Sequence, residues 1–253
     1  MKDNKAKQRI RSGKPVFGCW IKTGSPAAIE VAGTVGFDFV LLDTEHGALD
    51  SFTVENLIRA ADGAGVSPIV RVGENRPIYI LRVLDSGAHG VFVPQVESRE
   101  DAEQAVRAAR YAPEGERGSA SSQRSADWGF SDPATYYTRE NEETMVVVNI
   151  ESAAGVDNIE AIASVRGVDV LNIGPADLAQ SMGLVGGMSH PRVLAAIDKI
   201  IEAGKKAGVA VGIGAKDAAS AKKRIDQGVS FINFRSDLMM FGEKGRELLG
   251  GLR

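Results

Sequence analysis

Short apolar runs and amphipathic segments follow one another along the whole chain. Eight runs rich in Val, Ile, Leu and Phe have strand length: Val16–Ile21, Phe37–Leu42, Pro68–Val72, Gly90–Pro94, Met145–Ile150, Val168–Ile173, Val209–Ile213 and Phe231–Phe234. Between them, apolar positions recur at helical spacing in Ala27–Thr34, Val54–Gly63, Ile78–Asp85, Arg99–Arg110, Val156–Ser164, Arg192–Ala207 and Ala218–Gln227. Gly36, Gly65, Gly87, Gly167, Gly208 and Gly228 stand before the next strand, where left-handed helix caps are expected. This alternation predicts a (β/α)8 barrel, a single domain over residues 1–253. A doubly wound open sheet is the rival, but no GxGxxG follows the first strand and no GxxxxGK[ST] occurs. The one long interruption, Tyr111 to Glu143, is rich in Ser, Arg, Gly and Pro and predicts a lid or a subunit contact.

Composition narrows the function classes. Hydrophobic and charged fractions of 43% and 25% are ordinary for a globular chain. A net charge of -3 with interspersed signs leaves no basic footprint for nucleic acid and no membrane-binding face. No apolar run approaches the ~20 residues of a membrane span, and the charged start MKDNKAKQRIRSGK lacks the apolar centre of a secretion signal. These features predict a cytoplasmic protein. The single cysteine, Cys19, excludes an intrachain disulfide and reads as a small core residue.

Chemistry concentrates at the strand ends. The second strand runs into Asp43-Thr44-Glu45-His46-Gly47, too many ionisable groups to bury without partners. His46, one of three histidines, is suited to proton transfer near neutral pH; a polar strand end turning at Gly47 is the plainer reading. The third strand ends in Arg71, the fifth in Asn149-Ile150-Glu151, and the sixth leads through Gly174-Pro175-Ala176 to Asp177. Individually, Arg71 could salt-bridge a neighbouring strand and Asp177 could cap a helix. Together, at one barrel mouth, two carboxylates suit a hard divalent cation such as Mg²⁺, Mn²⁺ or Co²⁺, with waters and a chelating substrate completing its shell. Amides around Gly174 and Ala176 would receive a substrate carboxylate at the start of a helix. Arg71 would then neutralise an oxyanion and His46 move a proton, a set suited to enolising a 2-oxo acid.

At these residues the sequence resembles the HpcH/HpaI family of class II pyruvate-dependent aldolases. The likeness runs from Gly18-Cys19-Trp20 through Gly36-Phe37-Asp38, Asp43-Thr44-Glu45-His46, Val93-Pro94 and Arg110-Tyr111-Ala112-Pro113-Glu114-Gly115-Glu116-Arg117-Gly118, then Ile150-Glu151-Ser152 and Gly174-Pro175-Ala176-Asp177-Leu178. The resemblance implies a divalent metal held by Glu151 and Asp177, with pyruvate chelating it. It further implies His46 as base steered by Asp43, Arg71 stabilising the enolate, and Trp20 and Asn149 at the substrate. Asp85 would approach from an adjacent subunit; from sequence alone it reads as a helix-end surface residue. The family forms hexamers, trimers of dimers, in which barrels exchange the last helix, here roughly Asp237 to Leu249.

Several positions depart from the family pattern. Asn149 replaces a Gln, so its contact in the site would be lost or filled by water. Thr44 replaces a common Gly, Lys22 stands where a small residue is usual, and Asn172 and Asn233 place amides in strands normally more apolar. Lys22 is a solvated or substrate-binding charge, or else the amine of a rival Schiff-base aldolase, which would leave Glu151 and Asp177 idle. Arg124, in the segment Gly118–Arg124, is expected to overhang the mouth near the distal end of a substrate, or to be a solvated loop arginine. The reading is a metal-dependent lyase cleaving a 4-hydroxy-2-oxo acid to pyruvate and an aldehyde. A citrate-synthase-like condensing enzyme and a non-catalytic carboxylate-binding barrel are the alternatives.

Overall fold

The computed structural model describes residues 3–252. Eight parallel strands pair in chain order and close on themselves: β1 (Val16–Ile21), β2 (Phe39–Asp43), β3 (Ser67–Arg71), β4 (Gly90–Val93), β5 (Met145–Ile150), β6 (Val170–Ile173), β7 (Ala210–Gly214) and β8 (Phe231–Ser236). The result is the (β/α)8 barrel expected from the alternation, not an open sheet. β1 and β5 have the predicted bounds and the other strands differ by one or two residues at one or both ends. All six glycines expected at left-handed turns have positive φ, from 69° at Gly208 to 102° at Gly167.

The two-residue period of the strands divides the core into two shells. Val40, Leu42, Val70, Val91, Val146, Val148, Leu171 and Ile213 face outward against the helices. Val16, Phe39, Leu41, Ile69, Phe92, Met145, Val147, Val170 and Phe231 fill the barrel interior. Phe39 stacks on Phe231 with ring centroids 4.1 Å apart. Gly18 creates that space, since a Cβ there would lie 2.3 Å from the Phe39 ring. An N-terminal helix (Lys5–Arg11), unread in the sequence, packs Ala6 and Ile10 against this inner shell. Its Lys7 is buried and donates to the Thr144 carbonyl and to Asp169.

The segment 111–143 is largely structured. Arg124–Gly129 makes a short 3-10 turn and Pro133–Glu143 an α-helix. Its anchor is Arg117, whose side chain is buried against Asp85 (2.8 Å), Glu140 (3.1 Å) and the face of Tyr111. Val156–Ser164, predicted as one helix, is two short ones, Ala153–Asp157 and Ile159–Ala163, meeting at Asn158. Among the described residues no helix is long and apolar enough to cross a membrane.

Candidate active site

Continuing six of the eight interior columns beyond their apolar fillers, in steps of two residues, reaches polar side chains at the C-terminal mouth. Phe39 and Leu41 lead to Asp43 and Glu45, Ile69 to Arg71, and Val147 to Asn149 and Glu151. Val170 leads to Asn172, Phe231 to Asn233, and Val16 through Gly18 to Trp20 and Lys22. The strand period therefore collects these side chains on one floor.

Asp43 is the hub on one side. Its side chain is fully buried, and Arg71 grips it with two bonds, Nε to Oδ1 at 2.9 Å and Nη2 to Oδ2 at 2.7 Å. The Arg71 Nη1 faces Glu45 at 3.0 Å, and the Lys22 ammonium lies 3.2 Å from Asp43 Oδ2. Burial opposes ionisation of Asp43, but the bonds and charge of Arg71, the His46 N–H and Lys22 outweigh it and hold the carboxyl below its usual range. The Thr44 hydroxyl donates to the Arg71 carbonyl, so the residue replacing a family Gly anchors the β3 end. Asp237 accepts from the Lys22 N–H, the Thr23 N–H and the Thr23 hydroxyl, at 3.1, 3.1 and 2.6 Å.

His46 reaches the mouth beside Asp43. Asp43 accepts its backbone N–H at 3.1 Å, while Arg71 bonds both oxygens of that carboxylate and Lys22 lies beside it. The ring is 59% exposed and stands 3.9 Å from Glu45, leaving it accessible to a substrate.

Glu151 is the hub on the other side. Its Oε1 accepts the Gln95 N–H at 2.8 Å and its Oε2 the Asn149 amide at 2.5 Å. Asn149 thus bonds the Glu151 carboxylate directly. Gln95 holds a left-handed φ of 53°, a strained conformation for a non-glycine residue that aims its N–H at the carboxylate. Burial pushes the Glu151 carboxyl up to about 7; Asp177 and Glu45 add to the rise, while the Gln95 N–H and Arg71 oppose it. A buried carboxylate crowded by two others is what a hard cation relieves, so the donors fit a divalent metal. Among the described residues no group of three or more His, Cys, Asp and Glu forms a complete ligand set; any cation there takes its remaining ligands from water or substrate. Asp177 lies in the first turn of the helix Pro175–Ser181.

The remaining expected site residues, Gly174, Arg124, Asp85 and Ala176, are placed as follows. The Gly174 N–H is taken by the Ile150 carbonyl at 3.1 Å, so it cannot serve a substrate. Gly174 instead supplies room, because a Cβ there would lie 3.0 Å from Glu151 Oε2. Arg124 does not overhang the mouth of its own barrel. It bonds Asp62 at 2.6 Å and the Ser86 carbonyl at 2.9 Å, at helix ends on the opposite face. Asp85 ends the helix Pro77–Asp85 on that same face, against Arg117. Ala176 stands second in the helix Pro175–Ser181.

Trp20 is wedged edge-on against Phe92 with centroids 5.4 Å apart, while the Arg71 guanidinium lies 4.4 Å over its ring. Its indole N–H donates to Asn233 at 3.0 Å. Asn233 donates to Asn172 at 3.0 Å, and Asn172 donates to Asn149 at 2.7 Å. Sequence reasoning named Glu45, Asn149, Asn172 and Asn233 but missed Gln95 and the joining of the three asparagines into one row. The position of each Asn, two residues beyond an interior apolar one, was the signal available.

A buried arginine–carboxylate clamp and a buried glutamate share one barrel mouth, the place where barrel enzymes carry their chemistry. The HpcH/HpaI aldolase/citrate lyase family model matches residues 16–243, and the chain belongs to that family. It is 40% identical to a hydroxypyruvate/pyruvate aldolase of Paraburkholderia phytofirmans, covering 99% of this chain and 98% of the relative. It is 39% identical to a 5-keto-4-deoxy-D-glucarate aldolase of Shigella boydii, over 97% and 95% of the two chains. The solved structure of the citrate synthase SbnG is similar at 33% identity, covering 98% and 96% of the chains with a TM-score of 0.88.

Proposed function

We propose that this protein is a metal-dependent pyruvate aldolase, reversibly cleaving a 4-hydroxy-2-oxo acid to pyruvate and an aldehyde. One observation carries the reading: Arg71, fixed by Asp43 and Glu45, shares a mouth with Glu151, whose burial among carboxylates suits it to hold a cation with Asp177. The aldolase names of the relatives support the same chemistry. A bound divalent cation supplies Lewis-acid polarisation of the 2-oxo group. Arg71 presents its guanidinium to the oxygen that gains negative charge, and its rigid clamp removes the need for reorganisation during the reaction. His46 accepts the proton of the C4 hydroxyl; the C3–C4 bond breaks, its electrons form the enolate of pyruvate, and the aldehyde leaves. Protonation at C3 gives pyruvate. Trp20 walls the site, and the Ala176 amide faces the substrate carboxylate.

Asp85 and Arg124 lie at the far end of their own barrel, so any role they have in a site is toward a neighbouring copy's mouth. The last helix, Asp237–Leu249, buries none of its residues, and Leu238, Phe241, Leu248 and Leu249 are exposed. An exchanged helix in a cytoplasmic hexamer accounts for that apolar face.

The test is exchange of pyruvate methyl protons in D2O, followed by NMR with Mg²⁺, Mn²⁺ or Co²⁺ and after chelation, then a panel of aldehydes with pyruvate. Metal-dependent exchange lost in Glu151→Gln and Asp177→Asn is expected. Full exchange in chelator, with borohydride trapping pyruvate on Lys22, would replace the reading with an imine mechanism. The pairing of Lys22 with Asp43 opposes that route, since imine formation needs a free amine. Similarity to a citrate synthase makes condensation the second reading. Citrate formed from oxaloacetate and acetyl-CoA, with no aldehyde accepted, would favour it.

A further inference from the structure

The asparagines at positions 149, 172 and 233 are buried where such barrels are filled by Val, Ile or Leu, and apolar replacements would satisfy packing alone. Their bonds nevertheless run unbroken in one direction: Trp20 Nε1 to Asn233 Oδ1, Asn233 Nδ2 to Asn172 Oδ1, Asn172 Nδ2 to Asn149 Oδ1, and Asn149 Nδ2 to Glu151 Oε2. The ends dictate that direction. An indole nitrogen only donates, and an ionised carboxylate only accepts. Flipping any one amide would set oxygen against oxygen or nitrogen against nitrogen, so the row has a single satisfied arrangement.

The row also crosses a gap. Asn172 is on β6 and Asn233 on β8, with β7 between them. Asn172 pairs in register with Gly212, and Gly214 with Asn233. A Cβ at Gly212 would lie 2.8 Å from Asn172 Oδ1. Strand β7 thus presents no side chain where the two amides meet.

We propose that Asn233, Asn172 and Asn149 form a one-way amide relay that positions Glu151 and Trp20 together. It ties the cation end of the site to the indole beneath Arg71. Asn172 and Asn233, which touch neither Glu151 nor Arg71, are on this account positioning residues. The inference rests on the reading of Glu151 as a cation ligand. Outer partners of metal ligands typically contribute about 10–100-fold in affinity, and here the contribution is passed along three side chains.

The experiment measures Mn²⁺ affinity by titration calorimetry for wild type, Glu151→Gln, Asn172→Leu and Asn233→Ala. Trp20 emission in chelator is recorded in a Trp128→Phe background, which leaves Trp20 as the chain's one tryptophan. The relay predicts that Asn172→Leu and Asn233→Ala each weaken Mn²⁺ binding about 10-fold or more while still unfolding in one cooperative transition, at a lowered midpoint. It also predicts that Asn172→Leu shifts Trp20 emission, although the indole N–H bonds Asn233 and not Asn172. Wild-type Mn²⁺ affinity and unchanged emission in both variants, with binding lost in Glu151→Gln, would overturn the relay alone. Unaltered Mn²⁺ binding in Glu151→Gln would overturn the cation reading itself. Should Asn172→Leu not fold, Asn172→Ala, smaller throughout, is read in the same way.

Discussion

Arg71 closes on both carboxylate oxygens of Asp43, at 2.9 and 2.7 Å, in a pair whose acidic member is wholly buried. The clamp fixes the guanidinium before substrate arrives. Asp43→Ala should therefore act on both stability and rate. Leaving Arg71 with only Glu45 should lower unfolding free energy by about 3–5 kcal/mol in urea titration. Pyruvate proton exchange should fall by ~10²–10³ as the donor loosens. Wild-type exchange in this variant would reduce the pair to a structural one.

His46 should behave differently, because its ring is exposed and held by no buried partner. His46→Ala should leave the melting temperature unchanged and slow aldol cleavage by ~10²–10⁴. Cleavage at the wild-type rate would transfer the base to another group at the mouth, Glu45 being the nearest carboxylate.

The opposite face carries an acid-sensitive joint. Burial works against ionisation of Asp62, but hydrogen bonds and charge from His89 and Arg124 more than offset this and lower its carboxyl to about 2. A depressed carboxyl contributes stability that is complete above its unfolded value near 4 and is lost as pH falls toward about 2. The contribution is on the order of 2 kcal/mol. Denaturant titrations between pH 5 and pH 2 should show the loss, and Asp62→Asn should flatten it. An unaltered pH profile in that variant would remove the joint from the acid response.

Asp85 supplies a test of assembly. Its only ion-pair partner among the described residues is Arg117, which retains Glu140 without it. Asp85→Ala should fold and lose aldol activity if a neighbour's site uses the carboxylate. Mixing Asp85→Ala with Arg71→Ala subunits should then restore part of the activity, since a hybrid pairs an intact mouth with an intact Asp85. No recovery on mixing, after verified subunit exchange, would confine Asp85 to its own chain.

The barrel was legible because buried parallel strands are nearly continuous apolar runs and their helices are amphipathic. The strand-end carboxylates were legible because charge following such a run must emerge at a mouth. Their partners were not. Asp43 could have served His46 or Arg71, and only the register of Asp43 with Arg71 on adjacent strands settles the choice. The link from Asn172 to Asn233 was hidden more deeply, since it spans non-adjacent strands through space left by a glycine. The helix Pro133–Glu143 lay in a stretch whose average composition resembled a loop, and its apolar anchor is a tyrosine cluster rather than an aliphatic stripe.

Asp237 joins parts of the chain more than two hundred residues apart. Opening the last helix, it grips the first strand's exit loop through three hydrogen bonds, and that loop carries Lys22 to Asp43. The helix start and the loop are therefore tied together by one carboxylate. The first residue of the last helix thus fastens the rim of the mouth beside Lys22 and Asp43, so the chain's final element borders its chemical floor.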